Sequence, residues 1–359
     1  MSWDVLKQDI YDKWKPYWFQ LHPPDVAEYS WNYLFTGGKE IRAKLFCDMW
    51  HYLSPDSTVC GELAFAIECI HVTSIVLDDT PWMDNAAERR GRTTLHTIFT
   101  PKKAMLISYG LMNMVRHIWS TNRPASASVT EELWQKLLIS KLKQLSVGQL
   151  YDIEKKGSLL ELASLKTGTL FELVAETVAV CTGLEPPFWR FWGNRLGILF
   201  QWMDDWEDQE EDRLQGNRNA FNEAYDTTLV HYWYLWRKVE AGIGVPWFHQ
   251  PFGRWIRGYF TGKLPVVTEG VTTNTSLLDV IQTSDVSWTL SAETVAKIPI
   301  GVNDSNHFTG RDIVQRICYH ADELFTIPSL SVNLWFVEED QWEHLPEIKA
   351  LLDRVKRGV

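Results

Sequence analysis

Three things are scarce in this sequence: long apolar runs, positive charge and strand-like alternation. No stretch of about 20 apolar residues is present to cross a bilayer. The formal net charge of -11 repels nucleic acid and acidic lipid, so any basic site must be local to a pocket. The five cysteines, Cys47, Cys60, Cys69, Cys181 and Cys318, are odd in number and scattered; they read as reduced packing residues of a cytosolic protein, not as a disulfide framework. The opening MSWDVLKQDIYDKW carries early acids and no sustained apolar run, so neither a secretory leader nor a transit peptide is expected. No internal repeat or low-complexity segment stands out. A cytoplasmic globular protein is the expectation.

What is abundant is apolar and aromatic. Hydrophobic residues make up 45% of the 359, with 19 tryptophans among them. That length exceeds the roughly 250–300 residues of one compact core, so a single domain spanning 1–359 should carry an elaboration. Apolar residues recur at spacings of three and four over 3–19, 24–36, 39–54, 59–79, 102–120, 129–153, 158–183 and 186–212, which predicts an all-α helical bundle. Such bundles build ligand sites from side chains that face inward on neighbouring helices. The pattern lapses over about 216–310, the expected insertion or cap, and returns in DIVQRICYHADEL and PEIKALLDRVKRG.

Two carboxylate clusters interrupt the helical pattern. Asp204 and Asp208 in DDWED are four apart, which places them on one helix face with Gln201 a turn earlier. In DDTPWMD, Asp78 and Asp84 are six apart and would diverge by about 120° on an unbroken helix. Pro81 lacks an N–H and disfavours helix before it, so Thr80 to Trp82 should bulge outward and return Asp84 towards Asp78. Hard divalent cations take oxygen ligands, and Mg2+ prefers one or two carboxylates with water and phosphate oxygens. Cations accompany the acids: Lys39 and Arg42 one turn apart, Arg89 and Arg90, and Lys166. Taken singly, each has a plain structural explanation as a solvated acidic face, a surface patch or, for His71, a satisfied core histidine. Together they describe a site for a polyanion.

In order along the chain, GGKEIRAKL, AIECIHVTSIVLDDTPWMDNAAERRGRTTLH, GQLYD, KTGTLFEL and GILFQWMDDWED resemble the trans-isoprenyl diphosphate synthases, over roughly residues 30–215. The resemblance implies the isoprenoid-synthase helical bundle, with Asp78, Asp79, Asp84, Asp204, Asp205 and Asp208 around Mg2+, about three ions, and an allylic diphosphate. Asp78, Asp84, Asp204 and Asp208 are its firmest metal ligands. It further assigns Arg89, Lys166, Thr167 and Gln201 to the allylic substrate and Lys39, Arg42, His71 and Arg90 to isopentenyl diphosphate. Thr167 would loosen its helix and turn a backbone carbonyl towards the allylic cation. Thr73 and Ser74, small residues above Asp78, favour a product longer than fifteen carbons, most simply geranylgeranyl diphosphate. Relatives of this kind are homodimers, and a homodimer is expected.

Departures from the family pattern define the alternatives. Glu40 stands where a cation is usual, Ala43 replaces a proline, and no lysine follows Asp208 until Lys238, leaving Arg213, Arg218 or Lys263 as substitutes. Ser108 and Tyr109 replace a Gly-Asp pair, and the tyrosine would narrow the product tunnel. Trp82, Trp202 and Trp206 beside the aspartates suggest a class I terpene cyclase, since aromatic faces stabilise cations. The retained isopentenyl diphosphate residues argue for chain elongation instead. A non-catalytic partner subunit of a synthase is the third reading, and both intact aspartate motifs oppose it.

Overall fold

A computed structural model describes residues 2–89, 91–126, 128–184, 186–243 and 245–264. Cys318, Arg90 and the two C-terminal segments expected to be helical lie outside the described residues. The order is α1 (Trp3–Leu21), α2 (Pro24–Leu34), α3 (Ile41–Leu53), α4 (Gly61–Asp78), a two-stranded hairpin of β1 (Glu88–Arg89) and β2 (Arg92–Thr93), and α5 (Leu95–Ile98). Then follow α6 (Pro101–Thr121), α7 (Glu131–Ile153), α8 (Leu159–Ala163), a π-helical turn (Ser164–Gly168) and α9 (Thr169–Thr182). The described chain ends with α10 (Pro186–Glu207), α11 (Gln209–Gln215), α12 (Ala220–Ile243), α13 (Val245–Phe248) and α14 (Pro251–Thr261). The all-α bundle expected from periodicity is what forms.

The chain divides into two compact units, Met1–Asp204 with Val239–Gly262 and Asp205–Lys238 with Lys263–Val359. In the first, α4 is the central helix. Leu63, Ala64, Phe65, Ala66, Ile67, Cys69 and Ile70 are all buried, so it is apolar almost all round, as a helix enclosed by others must be. It packs against α6, α3, α1 and α9. The tryptophans form much of the frame: Trp119 and Trp134 stack at 4.5 Å, and each indole N–H donates to the other's carbonyl, at 3.0 and 2.7 Å. That reciprocal pair clamps the α6–α7 connection while satisfying both buried donors. Lys141 of α7 is buried between Glu172 and Glu176 of α9, which satisfies a charge that could not be left alone there.

Burial pushes the thiols of Cys47 and Cys181 up to about 12 and that of Cys69 well above its usual value. They are packing groups, not nucleophiles. Among the described residues no helix is long and apolar enough to cross a membrane. Tyr109, expected to narrow a tunnel, is 63% exposed on α6, whereas its neighbour Ser108 is buried. Among the described residues the tyrosine therefore takes no part in the interior of its own chain.

Candidate active site

The chain reverses where α4 ends. Asp78 is the last helical residue, and beyond it the Asp84 N–H donates to the Asp78 carbonyl at 2.9 Å and the Ala86 N–H to the Asp79 carbonyl at 3.1 Å. Pro81 and Trp82 project outward, the tryptophan 54% exposed, and Asn85 takes a left-handed conformation with φ 52°. The loop expected from Pro81 thus forms, returning Asp84 beside Asp78. The β1–β2 hairpin, turned by Gly91 at φ 69°, then presents Arg89. Its Nε donates to Asp79 Oδ1 at 2.5 Å, and Nη2 stands 3.9 Å from Asp84 Oδ2. Asp79 is only 2% exposed; with one oxygen held by Arg89, it orients that guanidinium.

Burial pushes Asp78 up to about 6, and Asp84 and Asp152 raise it further while Lys166 and Arg89 pull it down. Burial likewise raises Asp84, with Asp152 adding to it and Lys166 and Arg89 opposing. Five charged side chains therefore act on one another at this end of α4, although Asp84 itself is largely exposed. Asp152 had no role in the reading of the sequence. It ends the GQLYD run on α7 and forms an ion pair with Lys166; the motif was visible, but only the fold shows its acid meeting that lysine.

Lys166 and Thr167 stand in the π-helical turn, whose wider i→i+5 pattern is the loosened helix expected at Thr167. Thr167 Oγ1 donates to Gln201 Oε1 at 2.5 Å, joining the turn to α10 three residues before Asp204. Small residues make this approach possible. A Cβ on Gly197 would meet Gly168 Cα at 2.7 Å, and one on Gly148 would meet Leu165 Cβ at 2.9 Å.

Two expectations about helix faces need correction. Lys39 and Arg42 do not share a helical turn, because Glu40 adopts a left-handed conformation (φ 49°) at the N-cap of α3 and leaves Lys39 outside the helix. Glu40 is held there by Tyr11 at 2.7 Å and Lys7 at 3.0 Å, so the acid that replaces a cation anchors α1. Likewise α10 stops at Glu207, and Asp208 (φ -102°, ψ 11°) is the N-cap of α11 rather than a mid-helix residue. Arg42 is buried with its guanidinium 5.5 Å from the centre of the Phe171 ring. The adjacent Ala43 N–H donates to Glu68 Oε2 at 3.3 Å, a bond the usual proline would not make. His71, Thr73 and Ser74 lie on α4 above Asp78; the hydroxyls of Thr73 and Ser74 donate to the carbonyls of Cys69 and His71 at 2.8 Å each.

The unit boundary falls inside DDWED. Asp204 ends the first unit and accepts a hydrogen bond from Tyr259 at 3.4 Å. In the second unit, Asp205 is buried and its Oδ2 accepts the Ala220 N–H at 3.0 Å, capping α12. Lys263 pairs with Glu207, whereas Arg213 pairs with Glu210 and Arg218 with Glu223.

Oxygen donors crowded by burial and mutual repulsion, with cations beside them, suit a hard divalent ion and a phosphate group. Among the described residues no three His, Cys, Asp or Glu side chains come close enough to hold a metal ion by themselves. The fold and its carboxylates define a helical bundle of the isoprenoid-synthase type. Residues 24–227 match the profile of the polyprenyl synthetase family. The chain is 31% identical over 198 residues to geranylgeranyl diphosphate synthase of Rhodobacter capsulatus, covering 52% of this chain and 65% of that protein. It is also 31% identical over 191 residues to farnesyl diphosphate synthase of Geobacillus stearothermophilus, covering 48% and 62%. The crystal structure of an isoprenoid synthase family member from Thermotoga neapolitana aligns with a TM-score of 0.59 at 23% identity, over 71% of this chain and 98% of that one. The chain belongs to the polyprenyl synthetase family. It spans just under two thirds of the length of the relatives it matches.

Proposed function

We propose that the protein is a magnesium-dependent prenyltransferase that condenses isopentenyl diphosphate head-to-tail with an allylic diphosphate. The observation that carries this reading is the Asp78–Asp84 reversal beside Arg89, Lys166 and Asp152, in a chain of this family. Asp78 and Asp84, with Asp204 and Asp208, are the proposed metal ligands. Magnesium, when bound, would offset the charge that develops on the leaving diphosphate. Arg89 and Lys166 supply fixed positive charge to the same group, so the allylic carbon–oxygen bond can ionise. Arg42, Lys39 and His71, with Arg90, orient the five-carbon diphosphate whose double bond attacks the allylic carbon. Loss of a proton to the departed diphosphate completes the step, and no protein nucleophile is needed. The π-helical turn at Thr167 is the proposed means of turning a backbone carbonyl towards the developing cation. Lys263, which pairs with Glu207, is the proposed source of the late cation missing from the pattern.

Thr73 and Ser74 are short side chains on the turn of α4 before Asp78, so geranylgeranyl diphosphate is the proposed product. The cyclase alternative loses its motive, because Trp82 points outward, Trp202 is buried and Trp206 packs on Phe221 and Tyr225. The test is incubation of radiolabelled isopentenyl diphosphate with each allylic diphosphate and magnesium. Label in a linear product supports elongation; cyclic products without label remove it.

A further inference from the structure

Helix α14 lies beyond the segment matched by the family profile, yet it delivers an aromatic side chain to the polar residues of the first unit. Tyr259 is 9% exposed. Its ring is nearly parallel to those of Trp255 (5.4 Å, 9°) and Phe200 (5.5 Å, 26°), and Trp255 stacks on Phe252 (5.4 Å, 16°). Phe200 immediately precedes Gln201 and stands one turn before Asp204, so this stack ties α14 to α10 at that point of the site.

Tyr259 makes polar contacts in at least two directions. Lys39 Nζ lies 5.7 Å from the centre of its ring, and its hydroxyl donates to Asp204 Oδ1 at 3.4 Å. The first contact uses the negative face of the ring; the second uses the hydroxyl as a donor to a carboxylate. Lys39 stands outside α3, with nothing helical to hold it in place. A rigid ring beneath its ammonium limits where that long side chain rests, and the hydroxyl limits the orientation of Asp204.

We propose that Tyr259 is a positioning residue shared by both halves of the site, its ring holding Lys39 and its hydroxyl orienting Asp204. The assignment rests on the prenyl-transfer reading for what Lys39 and Asp204 bind. Two substitutions separate the contacts. Tyr259→Phe keeps the stack and the surface under Lys39 and removes only the hydroxyl. Tyr259→Leu removes both.

The test combines calorimetric titration of inorganic pyrophosphate with magnesium, steady-state kinetics and thermal melting. Tyr259→Phe should melt like the wild type, bind magnesium pyrophosphate roughly threefold to tenfold more weakly, and keep its KM for isopentenyl diphosphate. Tyr259→Leu should in addition raise that KM roughly threefold or more, through loss of the cation–ring contact. A residue that merely packs α14 would lower the melting temperature in Tyr259→Leu and leave Tyr259→Phe unchanged in both binding and KM. That outcome overturns the assignment while leaving the prenyl-transfer reading intact. If the wild type binds magnesium pyrophosphate but incorporates no isopentenyl diphosphate, the prenyl-transfer reading falls, and the Tyr259→Phe titration still decides the hydroxyl's role.

Discussion

The backbone N–H of Asp84 donates to the carbonyl of Asp78 at 2.9 Å, so two carboxylates six positions apart are returned to one end of α4. Burial raises both carboxyls, Asp78 to about 6, and Asp84 adds to the shift of Asp78. Replacing Asp78 by Asn should leave the fold intact, because it removes a buried charge that a hydrogen-bonding amide of the same shape can replace. Turnover should fall by about a thousandfold or more, since the site loses electrostatic stabilisation of the leaving group. Melting curves and label incorporation check this together; full activity in Asp78→Asn would remove the metal assignment.

The π-helical turn depends on close backbone approach. A methyl group on Gly148 would meet Leu165 Cβ at 2.9 Å and its backbone carbonyl carbon at 3.0 Å, so the neighbouring turn has to move. Gly148→Ala should cost about 1–3 kcal/mol of stability. It should also displace Lys166 and Thr167 and reduce kcat more than the melting change explains. A variant with wild-type stability and kcat would show that this contact does not hold the turn.

Much of the bundle was legible in the sequence because three- and four-residue apolar spacing reports directly on a buried helix face. The reversal after Asp78 was legible for a different reason, since Pro81 removes a donor and restricts the residue before it. What escaped depended on distant partners. Glu40 has no glycine-like freedom, yet it is left-handed because Lys7 and Tyr11 of α1 hold its carboxylate. The break at Asp208 follows from no Pro or Gly. Asp152 and Tyr259 acquire their polar partners only when α7 meets the π-helical turn and α14 meets α10. The spacing of Phe252, Ile256, Tyr259 and Phe260 after Pro251 was a readable amphipathic helix, hidden by its tryptophan-rich surroundings.

Asp48 on α3 provides a pH-dependent signal away from the aspartate loop. Burial pushes it up from 3.8 to about 6, partly opposed by the Trp247 indole and the Phe252 backbone N–H. A raised carboxyl favours the folded state below its unfolded pKa, and this contribution is lost as pH rises through the folded value. Relative to Asp48→Asn, the wild type should therefore lose on the order of 1–2 kcal/mol between about pH 4 and pH 7, allowing for partial exposure. Paired urea titrations across that window measure the difference. Parallel curves for the two proteins would refute the burial argument.

The homodimer expected from the sequence would need an apolar surface, and α6 and α7 each expose large apolar side chains. Leu106 and Tyr109 are 58% and 63% exposed, Ile139 and Leu150 61% and 55%. Isolated surface apolar residues are ordinary, but several large ones on two helices mark a candidate contact. Light scattering should give twice the chain mass for the wild type and a monomer for the pair Leu106→Glu, Tyr109→Glu. A wild-type monomer would refute the dimer.

Product length should be set by the residues one turn above Asp78. Ser74 is four residues earlier on α4, its hydroxyl turned back onto the His71 carbonyl, so a small group occupies a position where a ring would project. Thr73 beside it is buried and equally short. Replacing Ser74 by Phe adds a ring without removing a buried polar partner, because the lost hydroxyl bond is local to the helix. The wild type should release a twenty-carbon product and Ser74→Phe chiefly a fifteen-carbon one, with initial turnover reduced by no more than about tenfold, since the ring meets the growing tail and not the reacting atoms. Reversed-phase separation of the dephosphorylated products distinguishes them. A wild type that stops strictly at fifteen carbons would mean that some other side chain already closes the tunnel, and the product assignment from Thr73 and Ser74 would fall.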